Sequence, residues 1–288
     1  MVQAIRAFFI DRKYLEIETP HLIPAPAPEA HIDAIGADGR YLHPSPELCM
    51  KRLLSAGFSR IFQISKCFRK GERGDRHLPE FTLLEWYRTG IDYRDLMDEC
   101  EVLIPFLSER VNMGNTISYQ GREIDLRTPW ERLSLQEAFD RYARFTLKKA
   151  LEARCFDQVM VNEIEPNLGM SRPTFLYDYP APLAALARLK PGDEALAERF
   201  EVYMAGVELA NGFSELNDPV EQRARFEAER HQRVAMGKEV YPMPEEFLHS
   251  LQDMPKAAGI AFGVDRLAML FCDAAHIDHV VAFTPEEV

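Results

Sequence analysis

The chain has 288 residues, is 47% apolar and 28% charged, and carries a formal net charge of −12. That length allows one large domain or two small ones with a substantial core, and the acidity argues against wide, non-specific nucleic-acid binding, which rests on neutralising phosphates. No apolar run approaches about 18 residues, and the N-terminus lacks a secretory pattern, so neither membrane association nor export is expected.

The cysteines Cys49, Cys67, Cys100, Cys155 and Cys272 are scattered without a CxxC, which predicts a reducing, cytoplasmic setting and no zinc site. Apolar residues at Ile5, Phe8 and Phe9 predict a helix in Met1–Lys13. Tyr14 to Thr19 alternates and stops at Pro20, as a strand does, and the proline run from Ile23 to Pro28 is a loop. Tyr41 to Pro44 is extended. Ser45 is a good cap for a helix over Leu48–Ala56, with Pro46 at its first position and Glu47 at its electropositive end. Ile61–Arg69 and Glu80–Tyr87 read as strands joined by Lys70–Pro79, a loop with Lys70, Arg73, Arg76 and His77. Guanidinium forks match phosphate oxygens, so this loop predicts a flexible lid over a polyphosphate. Glu85 and Tyr87 are two apart and point the same way, and a carboxylate beside a phenol suits an ammonium.

Asp92–Val111 is helical in pattern, and Gly114–Arg127 holds a hairpin around Gln120-Gly121. Trp130–Ala153 reads as a helix with Ser134 as a possible cap, and Pro173–Pro180 as a strand. Arg199–Asp218, RFEVYMAGVELANGFSELND, reads as a hairpin turning at Ala205-Gly206. A tight turn sets Met204 opposite Val207, Tyr203 opposite Glu208 and Glu201 opposite Ala210, so Glu201 and Glu208 share one face. Like charges so placed call for a cation between them or for open water. Asn211-Gly212 predicts a bulge that re-aims Glu215 into the same site. Glu221–Met236 predicts a solvated, charged helix. In the strand before the last helix, Gly259, Ala261 and Gly263 alternate, so one face is nearly bare and admits a flat ligand. Arg266 follows in a first helical turn, where anions are favoured. His276 and His279 have no accompanying Cys or carboxylate cluster and read as surface histidines.

The hairpin resembles that of class II lysyl-tRNA synthetases and their shortened relatives. So do the helix and strand of Met1–Pro20 (first signature), CFR…RHLPEFTLLEWY (second), GIAFGVDR (third), and SPE followed by KRLL. The resemblance covers nearly all of the chain. It implies one catalytic domain over residues 1–288, of α+β class, with an antiparallel β-sheet flanked by helices, and a homodimer paired through the first signature. It implies adenylate formation from ATP with Mg2+. Arg69 and Arg266 would be the catalytic arginines on the phosphates, with Glu72, His77 and Phe81 completing the ATP site. Glu201 and Glu208 would hold magnesium, and Ser45, Glu47, Glu85, Tyr87, Asn211, Glu215 and Ala261 would surround a lysine-like substrate. Two positions depart from the family: Gly71 stands where a Glu is usual and Leu78 where an Asn is usual, and Glu72 would replace the missing carboxylate by a one-residue shift. Ala261 stands where lysyl-tRNA synthetases carry Gly. The first signature begins by Tyr14, which leaves no room for the anticodon-binding domain that precedes it in those enzymes. The chain therefore resembles the elongation factor P lysine ligases. That implies (R)-β-lysine as substrate and a lysine of elongation factor P as acceptor, with a tRNA acceptor not expected. A tRNA-charging core, a free-standing ligase making a small amide and a non-catalytic regulatory paralogue stay open.

Overall fold

Period-two alternation becomes a nine-stranded sheet in the computed structural model, which describes residues 1–288. Its centre runs Arg60–Phe68, Glu80–Thr89, Ala257–Gly263, Val207–Ser214, Asp193–Met204 and Thr174–Pro180, each antiparallel to the next. The expected antiparallel sheet flanked by helices holds for these strands, and the fold is α+β. The outer pairings are parallel: Leu15–Glu16 joins Arg60–Phe68 at one edge and Glu131–Ser134 joins Thr174–Pro180 at the other. Parallel neighbours need a crossover. The helix Glu47–Ser55 lies in the first crossover, and the helices Leu135–Tyr142 and Leu147–Glu152 lie in the second.

That second edge corrects the helix expected over Trp130–Ala153. Ser134 does cap a helix, in a capping box with Glu137, but Glu131–Ser134 is drawn out as a strand. The helix then breaks at Ala143, which is extended, and restarts behind Thr146 as a new cap. The first strand is shorter than expected, Leu15–Glu16 alone. The helix expected from Leu48 begins at Glu47, with Pro46 at the cap position and Ser45 Oγ accepting from the Glu47 N–H at 3.0 Å.

The two faces of the sheet have different fates. Phe62, Leu84, Trp86, Ile260, Phe262, Phe200 and Val202 point into the largest apolar cluster, under the helices Val2–Asp11, Tyr93–Arg110 and Val264–Phe271. On the opposite face, pairing aligns Gln63, Glu85, Ala261, Asn211 and Glu201 in one row across five strands. That polar row is the floor of the site. The helix Pro219–Ala235 covers part of it, and it is not simply the solvated helix expected: Gln222, Phe226 and Arg233 are buried.

Candidate active site

The carboxylate hairpin sets the register of the floor. Ala205 and Gly206 both have positive φ, 52° and 71°, as a two-residue turn between twisted strands requires. Met204 faces Val207 and Tyr203 faces Glu208, as expected. Val202 then faces Ala210 and Glu201 faces Asn211, so Leu209 is an extra, unpaired residue. The bulge thus lies at Leu209, and Asn211-Gly212 is regular strand, which corrects the expected Glu201–Ala210 pairing. A bulge inverts the facing of every later residue on its strand. Here it puts Glu208 and Asn211 on one face with Glu201, and ordinary alternation carries on to Phe213 and Glu215 with no further bend.

Glu201 is buried and well held: Arg199 donates to Oε1 at 2.7 Å, and Tyr179 and Tyr203 donate to Oε2 at 2.6 and 2.7 Å. Burial raises its pKa, Arg199 opposes that, and Glu208 adds to it. Glu208 is more open, with Arg266 at 3.4 Å. No group of three or more His, Cys, Asp or Glu forms a metal cage. Magnesium, however, is commonly held by one or two carboxylates plus substrate phosphates, and two glutamates on one face beside the arginines expected to meet phosphates fit that habit.

Of the expected ATP residues, Arg69, Glu72, His77, Phe81, Glu208 and Arg266 line one cavity of about 250 Å³ with Arg76, Asn211, Ala261 and Asp265, while Glu201 lines the adjoining cleft. The Arg69 guanidinium lies 5.0 Å from the Phe81 ring centroid and 3.7 Å from Glu72 Oε1. Arg266 donates to the Glu208 carbonyl at 2.8 Å and lies 2.7 Å from His77 Nε2. A guanidinium only donates, so His77 Nε2 accepts and the ring is neutral; burial first, then Arg266, lowers its pKa. Leu78, in place of the usual Asn, is core-packed. Arg73 turns away from the cavity to pair with Asp278 and Glu286, which corrects the reading of the whole basic loop as phosphate-facing.

The amino-acid residues form a buried cluster beside Ala261. Glu85 accepts from Ser45 Oγ at 2.5 Å and from the Tyr87 hydroxyl at 2.7 Å. Lys51 Nζ lies 2.5 Å from Glu47 Oε1 and 2.5 Å from Glu215 Oε2, and 4.9 Å from the Phe213 ring centroid. Burial opposes the charge of Lys51, but Glu215 and Glu47 together raise its pKa. Lys51 serves Glu215 Oε2, and Glu215 Oε1 has no hydrogen-bond partner. Burial, followed by Glu47, pushes Glu85 up to about 7. Burial also drives Glu215, to about 8, against the pull of Lys51. Glu47 and Glu215 share one ammonium and Glu85 has only hydroxyl donors, so the cluster is short of positive charge. Gly259 is what lets them pack: a Cβ there would lie 2.1 Å from the Tyr87 ring and 2.4 Å from Glu215 Oε1.

The residues of the magnesium, ATP and amino-acid sets therefore converge on one sheet face. Sequence reasoning missed Lys51, Arg199, Tyr179, Tyr203, Glu29 and Glu165. Lys51 had a signal, its i+4 spacing from Glu47, and so did Arg199 and Tyr203, at two from Glu201. Glu29 and Glu165 had none. They come from distant segments, a loop and a short 3-10 helix, to a second, larger cleft of about 740 Å³ that adjoins the first at Glu208 and Asn211. Burial, then Glu201 and Glu208, push Glu165 up to about 7.

Comparison with known proteins agrees with this geometry. The family model "tRNA synthetases class II (D, K and N)" matches residues 1–287. The chain is 40% identical to an elongation factor P--(R)-beta-lysine ligase of Vibrio cholerae, over 98% of this chain and 92% of that protein. The same identity relates it to the ligase of that name from Proteus mirabilis, over 98% and 92%. A lysine--tRNA ligase of Magnetococcus marinus is 37% identical over 98% of this chain and 62% of its own length. The chain belongs to the class II tRNA synthetases of the D, K and N type.

Proposed function

We propose that this ligase activates (R)-β-lysine with ATP and transfers it to a lysine side chain of elongation factor P. The observation that carries the amino-acid part is the cluster of Glu47, Glu85 and Glu215 around one lysine, with Glu215 Oε1 lacking a donor. A buried carboxylate oxygen without a donor is costly, and a substrate ammonium supplies what is missing. The acceptor is taken from the ligases that share 40% identity across almost the whole chain.

In this reading the distal ammonium sits among Glu215, Glu85 and Tyr87, and the reacting carboxylate lies toward Arg69. The carboxylate oxygen attacks the α-phosphorus of ATP, the bond to the β-phosphate oxygen breaks, and pyrophosphate leaves. Arg69 and Arg266 stabilise the negative charge that builds on the phosphates. His77, neutral and fixed by Arg266, and Phe81, under Arg69, hold that end in place. Glu201 and Glu208 would hold magnesium, which adds positive charge at the phosphates when bound. An acceptor amine then attacks the adenylate carbonyl, forming an amide and releasing AMP.

ATP–pyrophosphate exchange with α-lysine and (R)-β-lysine, followed by transfer to elongation factor P and to tRNA, tests the reading. Exchange preferring (R)-β-lysine and transfer to elongation factor P are expected. Charging of tRNA with α-lysine would replace this reading with that of the lysine--tRNA ligase relative.

A further inference from the structure

Glu29 lies on the proline-rich loop that roofs the amino-acid pocket. Ala27 of that loop packs against the cluster holding Met50 and Tyr87. The backbone is clamped from the helix Pro219–Ala235. Arg233, fully buried, donates to the carbonyls of Glu29 at 2.7 Å and Ile32 at 2.9 Å and to Asp33 at 2.7 Å. Glu229 accepts from the Ala30 N–H at 2.7 Å. From this fixed base Glu29 lines the 740 Å³ cleft together with Arg199, Glu201 and Asn211.

The other carboxylates around the pocket have partners. Glu47 and Glu215 share Lys51, Glu85 has Ser45 and Tyr87, and Glu201 has Arg199 and two phenols. Glu29 has a bond only at its main-chain oxygen. Burial pushes its carboxyl up to about 7; Glu47 adds to this, and Arg69 opposes it. A half-dry carboxylate on a rigid backbone, without a cation of its own, is poised for one that arrives with the ligand.

We infer that Glu29 receives the β-ammonium of the substrate and thereby selects a β-amino acid over its α-isomer. The inference rests on the proposed reading, in which the reacting carboxylate points to Arg69 and the distal ammonium to Glu215. On the floor, the Ala261 methyl lies in the row between Glu85 and Asn211. From the roof, Glu29 lines the cleft that meets this floor at Glu201 and Asn211, within electrostatic reach of both Glu47 and Arg69. An amine one carbon removed from the reacting carboxylate can turn toward that roof.

The test removes the charge from each side in turn. Pyrophosphate exchange is measured for wild type, Glu29→Gln and Glu29→Asp with (R)-β-lysine, α-lysine and ε-aminocaproate, which keeps the chain and distal ammonium of β-lysine but lacks the β-amine. Glu29→Gln is expected to raise KM for (R)-β-lysine by at least about tenfold, the low end of what a hydrogen bond to a charged group contributes. The loss for ε-aminocaproate should be far smaller, kcat should change little, and Glu29→Asp should recover part of the affinity. Exchange with ε-aminocaproate also reports that the variant is folded. Equal losses for (R)-β-lysine and ε-aminocaproate would overturn the inference, because Glu29 would then only shape the roof. A defect confined to transfer, with exchange intact, would overturn it too. Wild-type preference for α-lysine would sink the substrate reading and this inference together, whereas a β-lysine preference that survives Glu29→Gln would sink the inference alone.

Discussion

Ala261 places one methyl group on a strand face that is otherwise bare. Its neighbours across the sheet are Glu85 on one side and Asn211 on the other, and it lines the cavity with Arg69 and Arg266. Ala261→Gly is expected to raise α-lysine activation relative to (R)-β-lysine by at least about tenfold, the low end of what one methyl group decides. An unchanged ratio in pyrophosphate exchange would show the methyl to be neutral packing. The carboxylates beside it make a pH prediction. Unfolded glutamates titrate near about 4.3, while Glu85 and Glu215 are pushed up to about 7 and about 8 in the fold. A folded pKa above the unfolded one gives stability that is full below about pH 4 and lost as pH rises through about 7 to 8. The ligand-free protein should therefore melt at a lower temperature at about pH 9 than at about pH 6. Glu215→Gln should flatten that slope, and so should a lysine-like ligand, by supplying the missing ammonium. A slope that is the same with and without ligand would separate these carboxylates from substrate binding.

Single elements show what the sequence told and what it withheld. The turn at Ala205-Gly206 was legible because only a two-residue connection fits between the two runs, and with it the shared face of Glu201 and Glu208. The bulge at Leu209 was not legible, because no glycine or proline marks it and the neighbouring Asn211-Gly212 offered a stronger local signal. Yet the bulge is what brings Asn211 to the floor. Glu208→Gln keeps the shape of this hairpin and removes one of the two charges proposed to hold magnesium. It should greatly reduce exchange and raise the magnesium concentration needed, with an unchanged melting temperature; activity indifferent to the change would remove Glu208 from the metal site. The strand Ala257–Gly263 was read for its bare face, but Gly259 and Ala261 have different reasons to be small. Gly263 has room for a methyl group, since its nearest neighbours stand at 3.5 Å or more. Gly259 has none. Gly259→Ala should cost about 1–3 kcal/mol from overpacking against backbone-anchored Tyr87, and should abolish amino-acid activation by displacing Tyr87 and Glu215. A stable, active variant would show that the pocket yields more readily than its packing suggests. The loop carrying Glu29 gave no warning, because a proline run hides its geometry and its clamp, Arg233, comes from about 200 residues away in the chain.

At the scale of the molecule, the signatures were readable because each couples a local pattern to a chemical need: a strand with a bare face, a basic loop, paired carboxylates. The parallel edge strands were not, since their pairing depends on crossovers rather than on local alternation. One of those edges bears on assembly. The strand Leu15–Glu16 has Arg60–Phe68 on one side and no strand on the other, and an unpaired edge is a template for another chain. Leu15 is 50% exposed, Ile10 on the preceding helix 54%, and Val102 on the helix Tyr93–Arg110 49%. Single exposed apolar residues mean little, but these belong to a helix and strand packed together and a neighbouring helix that contacts them, beside a half-open hollow lined by Phe8, Arg12, Tyr14 and Val102. A second copy related by a two-fold axis would cover the same patch on both partners. Light scattering at micromolar concentration is expected to give twice the monomer mass. Replacing Leu15 and Ile10 together by Lys should give a monomer with the fold retained, since both side chains are exposed and neither belongs to the buried core. A wild-type monomer under those conditions would leave the edge strand without a partner. It would also require the active-site floor, which hangs on the adjoining strands, to be stable without the second copy.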